Sequence, residues 1–205
     1  MSRCRVAEVS CVLTMKTIEL LDGGILLYDA AFLRANLADR YFVELRDQSV
    51  WEQKPGIFGH MQPRLIASYG DTGVNYRYSA GVDNVALPWT ATLLEIKEKI
   101  EAIQGDYNYC LLNRYRSGSD SMGWHADDEP EIGNVIGSLS LGETRKFRIR
   151  HNITRETQTF LAGNGTLIIM AGTMQQFWQH EVPKTKLNIG ERINLTFRQI
   201  VEPNR

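Results

Sequence analysis

Cysteine is scarce in this chain, with three residues in 205, Cys4, Cys11 and Cys110. So few thiols, at spacings that match no zinc-binding pattern, exclude a disulfide framework and predict free thiols in a reducing compartment. Long apolar runs are missing as well. None reaches the roughly 18 residues of a membrane-spanning helix, and nothing reads as a cleaved signal, so no membrane partner is expected. Charge of one sign is also lacking. Lys plus Arg number 23 and Asp plus Glu 24, a net charge of −1, with an isoelectric point near 6.4. Bulk charge therefore does not attract polyanions, and any such contact must rest on a local patch. There is no internal repeat and no low-complexity linker. What remains is ordinary for a globular protein, 43% hydrophobic and 23% charged residues, in a length that suits one domain with a sizeable core.

Taken in order, residues 1–16 read as a peripheral extension, with Met15 as an alternative start. Gly24 to Tyr28 forms a first strand. The spacing of Leu33, Leu37, Tyr41 and Leu45 predicts a helix over about 30–46, and a second helix begins near Pro88, a residue suited to a first turn. Its stripe of Trp89, Leu93, Ile96, Ile100 and Ile103 ends at Gly105. Both stripes are core faces and should lie against the back of a sheet. Between the helices, residues 51–78 are rich in turn formers around Ile57, Phe58 and Met61, and an aromatic at such a tip suggests a wedge between base steps.

From Tyr109 onward the chain reads as strand after strand, 109–115, 135–141, 145–151, 156–161, 165–170, 177–182 and 191–199, with glycines between them. Many short strands with regular turns predict a sandwich or barrel. Within 145–151, Lys146, Arg148 and Arg150 alternate with Phe147 and Ile149. This pattern predicts a basic strip, with Arg145 and His151 beside it, that suits phosphates.

The chemistry concentrates at His125-Ala126-Asp127. Strand residues two apart share a face, so in an extended segment the imidazole and carboxylate project side by side. They supply two ligands of a 2-His-1-carboxylate triad, which leaves positions open on non-haem Fe(II). Only four histidines are present, and His180 is the candidate for the third ligand, while His60 and His151 read as surface or backbone contacts. Glu129 shares the face of His125 and Asp127 and should border the site, whereas Asp128 points away. In Arg192-Ile193-Asn194-Leu195-Thr196-Phe197-Arg198 the even positions are polar and the odd ones apolar. Six strand residues span about 20 Å, so inward-leaning arginines at the two ends suit a short dicarboxylate, which guanidinium forks match bidentately. Asn113 and Tyr115 add a second polar pair.

The combination of N-x-Y, H-x-D, a distant His and R-x-N-x-x-x-R resembles the AlkB family of Fe(II)- and 2-oxoglutarate-dependent nucleic-acid dealkylases, over about Val50 to Val201, and is most like its DNA-repair branch. The resemblance implies a mainly β fold with flanking helices (α+β), a double-stranded β-helix or jelly roll over about 107–201. It also implies a nucleotide-recognition lid over about 50–80. His125, Asp127 and His180 would hold the metal. Arg192, Asn194 and Tyr115 would hold the distal carboxylate of 2-oxoglutarate, with Arg198 and Asn113 at its metal-bound end. Phe58, Arg64, Tyr76, Tyr78 and Glu129 would meet the substrate base, since a cationic methylated base suits π faces and a carboxylate. The implied reaction is oxidative demethylation of 1-methyladenine and 3-methylcytosine in DNA with O2 as co-substrate, releasing formaldehyde, succinate and CO2. The expected partner is alkylated DNA, single- or double-stranded, the expected state a monomer, and the expected location the cytoplasm, or the nucleus of a eukaryote. The same residues are compatible with the same chemistry on RNA, a protein or a small molecule, or with a non-catalytic nucleic-acid-binding module.

Overall fold

The computed structural model describes residues 15–55, 59–78 and 82–201. In chain order the elements are β1 (Lys16–Glu19), a 3-10 turn (Leu21–Gly23), β2 (Gly24–Asp29), α1 (Ala35–Gln48), β3 (Leu65–Gly70), β4 (Asn75–Tyr78), β5 (Val82–Val85) and β6 (Leu87–Pro88). There follow α2 (Ala91–Glu101), β7 (Tyr109–Tyr115), β8 (Met122–His125), β9 (Ile136–Gly142), β10 (Arg145–His151), β11 (Thr157–Ala162) and β12 (Thr166–Gly172). The short α3 (Met174–Phe177), β13 (Trp178–Val182) and β14 (Arg192–Arg198) complete the chain. Eight strands form a major sheet in the order β1-β2-β12-β9-β14-β7-β3-β6, and four form a minor sheet in the order β11-β10-β13-β8. All pairings are antiparallel except that of β3 with β6. The two facing sheets form the expected jelly roll.

Period-2 alternation makes this a layered molecule. The helix faces led by Tyr41, Leu45, Leu93, Ile96 and Ile100 cover one side of the major sheet, where they meet Leu112, Ile193, Leu195 and Phe197. The helices therefore lie on the back of the sheet, as their stripes predicted. The other side of the major sheet packs on the minor sheet through residues such as Leu111, Phe147, Ile149 and Trp178. Every residue of β14 is buried as a result. Its apolar positions face the helices, and its polar positions lie between the sheets rather than on a solvated face. Leu195 has no exposed surface, and truncating it opens a cavity in the helix-facing layer. Leu195→Ala is expected to lower stability by about 2–5 kcal/mol, measurable as a lower denaturation midpoint with an unchanged slope.

Several sequence expectations are corrected by packing. Helix α1 starts at Ala35 rather than near 30, because residues 30–34 are held in a turn whose Leu33 N–H donates to Gly165 O (3.1 Å). Pro88 lies in β6 at the edge of the major sheet, where its missing N–H costs no ladder bond, and α2 begins later, with Thr90 Oγ1 accepting from Leu93 N–H (3.2 Å). Gly105 follows α2 at φ +102°, and a Cβ there would lie 2.4 Å from the Tyr107 ring. Residues 65–70, inside the stretch read as a lid, are β3, paired along its length with β7. Arg145 and His151 do not belong to the basic strip. They share the buried face of β10 with Phe147 and Ile149, and only Lys146, Arg148 and Arg150 turn outward. His151 is buried between Asp22, at 2.9 Å from its Nε2, and the Thr154 N–H, which donates to its Nδ1 (3.1 Å). Among the described residues, no helix is long and apolar enough to cross a membrane.

Candidate metal centre

The pairing of β8 with β13 places His125 directly opposite His180, and their ring centroids are 4.1 Å apart. The ladder ends there. Asp127 follows in an irregular segment, yet its carboxylate turns back to the two rings. One ligand atom from each of His125, Asp127 and His180 lies within 4.8 Å of the others. His125 Nδ1 is 2.8 Å from Gly123 O. A carbonyl only accepts, so Nδ1 carries the proton and Nε2 presents a lone pair, an arrangement that orients a metal-binding imidazole. Burial pushes the pKa of both histidines down, that of His180 to about 3, with the neighbouring His125 lowering it further. Both rings are therefore neutral near pH 7, the form that ligates.

Asp127 is 2% exposed. Burial alone would raise its pKa, but the Arg198 guanidinium, followed by the two imidazoles, outweighs burial and holds it at about 2. Its Oδ1 accepts from Arg198 Nη2 (2.8 Å), while Oδ2 is buried with no hydrogen-bond partner among the described residues and lies 3.9 Å from His180 Nε2. Two neutral imidazoles and a carboxylate with an unpartnered buried oxygen fit a divalent cation. Nitrogen and oxygen donors without thiolate suit Fe(II).

Beside this cluster β14 and β7 put Arg192 opposite Tyr115 and Asn194 opposite Asn113. Arg192 is 1% exposed. Its Nε donates to Ser140 Oγ (2.8 Å) and its Nη2 to Asn194 Oδ1 (2.6 Å). Nη1 has no hydrogen-bond partner among the described residues. Burial lowers the Arg192 pKa to about 10, against an opposing effect of Tyr115, whose ring lies 5.3 Å from the guanidinium carbon. A buried cation with an unsatisfied donor fits an external carboxylate. The two arginines of β14, expected to grip opposite ends of a short dicarboxylate, thus stand differently. Arg192 is open to an incoming anion, whereas Arg198 already holds Asp127.

The other predicted site residues divide. Arg64 is buried at 6% exposure, and its Nε donates to Asn113 Oδ1 (2.8 Å) on β7. Glu129 does not share a strand face with His125 and Asp127, because β8 stops at His125 and residues 126–129 leave the ladder. It is half-buried, and its carbonyl accepts from Ile132 N–H (2.9 Å). Tyr76 and Tyr78 lie in β4, whose backbone pairs with β5. Phe58, Cys4 and Cys11 lie outside the described residues. Cys110 is a buried free thiol, as expected.

Sequence reasoning missed Ser138 and Ser140, which hold Asn194 and Arg192 respectively. Their spacing of two within a predicted strand was the available signal. It also missed Gln175, whose carboxamide reaches the Asp127 backbone (3.0 Å), and no local pattern marks that residue.

Comparison with known proteins agrees with this geometry. Residues 26–198 match the model of the 2OG-Fe(II) oxygenase superfamily. The chain is 39% identical over 184 residues to alpha-ketoglutarate-dependent dioxygenase alkB homolog 3 of Bos taurus, covering 82% of this chain and 64% of that protein. It is 34% identical over 191 residues to the DNA oxidative demethylase ALKBH2 of Mus musculus, covering 85% of this chain and 79% of that protein. The chain thus spans less than two thirds of the cattle relative. The solved structure of OsALKBH1 superposes with a TM-score of 0.60 at 20% identity, over 90% of this chain and 100% of that one, a likeness of fold. Two histidines on paired strands with a carboxylate just beyond them, a buried arginine with an unsatisfied donor and a match over nearly the whole jelly roll lead to one assignment: the chain belongs to the 2OG-Fe(II) oxygenase superfamily, within its AlkB family.

Proposed function

We propose that this protein is an Fe(II)- and 2-oxoglutarate-dependent dioxygenase that removes methyl groups from 1-methyladenine and 3-methylcytosine in DNA. The observation that carries the reading is the pair of unsatisfied buried groups, Asp127 Oδ2 among the histidines and Arg192 Nη1, whose guanidinium lies against the Asn194 and Tyr115 that line the same pocket as the triad. One calls for a cation and the other for an acid. His125, Asp127 and His180 would hold Fe(II), and Arg192 would receive the far carboxylate of 2-oxoglutarate. The chemistry supplied by the bound metal, 2-oxoglutarate and O2 is oxidation of an N-methyl C–H bond, after which formaldehyde leaves the base. The chain's own part is placement. Arg198 fixes one oxygen of Asp127 so that the other stays turned to the rings, and the Gly123 carbonyl holds His125 in its ligating tautomer. Asn194 and Ser140 aim the Arg192 fork, and the facing sheets exclude water around it.

DNA as the substrate is supported by the name of the ALKBH2 relative and by a basic strip close to the metal centre. Trp124 directly precedes His125, and the Arg150 and Arg148 guanidiniums lie 4.2 and 5.2 Å from the centre of its ring. Lys146, Arg148 and Lys184 line an adjoining groove, a course suited to phosphates. In this reading Tyr76, Tyr78, Phe58 and Glu129 meet the flipped base, with Arg64 between base and acid sites.

The test is anaerobic reconstitution with Fe(II), followed by 2-oxoglutarate turnover with and without a 3-methylcytosine oligonucleotide. The expected result is turnover stimulated by the methylated strand, with formaldehyde released in proportion. Turnover indifferent to methylated DNA but stimulated by methylated RNA would move the substrate to RNA. Absence of both iron binding and turnover would leave a non-catalytic module.

A further inference from the structure

The metal centre has one ligand that its strand does not hold. Pairing of β8 with β13 stops at His125 and His180, so Asp127, two residues on, has no ladder partner to fix its backbone. A ligand on irregular chain would ordinarily be the loosest of the three. Yet Asp127 is buried, and its N–H donates to the side-chain Oε1 of Gln175 (3.0 Å). Gln175 belongs to α3, a single helical turn that links β12 to β13 and is anchored by the buried Met174. The other end of its carboxamide is also engaged, since Nε2 lies 3.7 Å from Met170 Sδ on β12. A thioether only accepts, so this contact selects the amide orientation in which nitrogen faces sulfur and oxygen faces Asp127.

We infer that Gln175 is a positioning residue for the metal ligand Asp127, its carboxamide replacing the strand pairing that ends at His125. The inference rests on the metal-binding reading above and extends it to a residue outside the triad. Asp127 is then held at two points, its carboxylate by Arg198 and its backbone by Gln175. The two restraints do different work. Arg198 sets which oxygen is free, and Gln175 sets where the peptide carrying that carboxylate sits relative to the rings. The connection also has a direction. Through α3, the element before His180 grips the element after His125, so the two ends of the triad are tied together on the side where no β ladder joins them.

Partners that orient a ligand from behind typically contribute about 10- to 100-fold in metal affinity. Gln175→Leu keeps the approximate volume and removes both polar ends, and should weaken Mn(II) binding by about that factor. Mn(II) serves as an oxygen-stable probe, with calorimetry and the electron paramagnetic resonance spectrum of the bound ion as readouts. Gln175→Glu retains an acceptor for the Asp127 N–H and should bind Mn(II) more tightly than the leucine variant, with a spectrum closer to that of the parent. Circular dichroism and the denaturation midpoint of both metal-free variants establish that each is folded. Should the leucine variant unfold, the glutamate variant still decides, because binding as weak as that of Gln175→Ala would show the acceptor to be irrelevant. If the parent binds Mn(II) and Gln175→Leu binds it equally well with the same spectrum, the role of Gln175 is overturned and the metal site stands. If the parent takes up no metal, the metal site falls and this inference with it.

Discussion

Asp127→Ala is expected to abolish metal binding and turnover, and to destabilise the metal-free protein as well. Its carboxylate is both a ligand in waiting and the anion that faces Arg198 across 2.8 Å in a buried site. Removing one partner of a buried ion pair commonly costs about 3–5 kcal/mol, because the remaining charge has lost its compensation. Asp127→Asn should separate the two roles. Its amide oxygen still accepts from Arg198, so part of the stability should survive, while the loss of charge should still defeat the metal. Denaturant titrations of the three metal-free proteins, alongside Mn(II) binding, measure this. Equal stability of the alanine variant and the parent would remove the Asp127–Arg198 pair from the structural argument. Acid dependence provides the sign. The folded pKa of about 2 lies below the unfolded carboxylate value of about 3.9. The contribution of this carboxylate is therefore fully present above pH ~4 and lost as pH falls toward 2, and Asp127→Asn should flatten that part of the profile.

Arg192 predicts the opposite combination, with cosubstrate binding lost and stability kept. In the protein as described, its guanidinium is buried with an unpartnered Nη1, a state that costs free energy until an anion arrives. Replacing such a charge with an apolar side chain of similar length is often neutral or stabilising. Its polar neighbours are not orphaned by the change, because Ser140 Oγ still donates to Ala162 O (3.1 Å) and Asn194 Oδ1 still accepts from Ser138 (3.1 Å). Arg192→Met should therefore unfold at the parent's denaturant midpoint or above it. Each charge-assisted bond to a carboxylate contributes about 1.5–3 kcal/mol, so affinity for 2-oxoglutarate should fall by at least about tenfold to a hundredfold. Thermal shift separates the cases. A saturating ligand at 100 times its dissociation constant stabilises the parent by about 2.7 kcal/mol, and the variant, binding tenfold to a hundredfold more weakly, should gain only about 1.4 to 0.4 kcal/mol at that concentration. Retained affinity for 2-oxoglutarate in Arg192→Met would place the acid elsewhere. Arg192→Lys should fall between, since a point charge cannot reproduce a planar fork.

The sequence by itself determined β2, β7, β9 to β14 and the helix stripes. Those depend on local periodicity, which a chain carries wherever it packs. Alternation also contained the placement of Arg145 and His151, since they share parity with Phe147 and Ile149, although their charge and polarity suggested the opposite face. His180 was legible by scarcity, there being four histidines. Tertiary structure alone decided that both faces of β14 are buried, because a second sheet covers the side that carries Arg192 and Arg198. It decided that these two arginines differ, as among the described residues only Arg198 meets a carboxylate, that of Asp127 just beyond β8. It took Glu129 off the strand predicted to carry it by ending β8 at His125, an outcome set by where β13 stops pairing. Gln175 reaches Asp127 across 48 positions of chain. No periodicity encodes a contact of that kind, because it exists only once α3 has docked between β12 and β13.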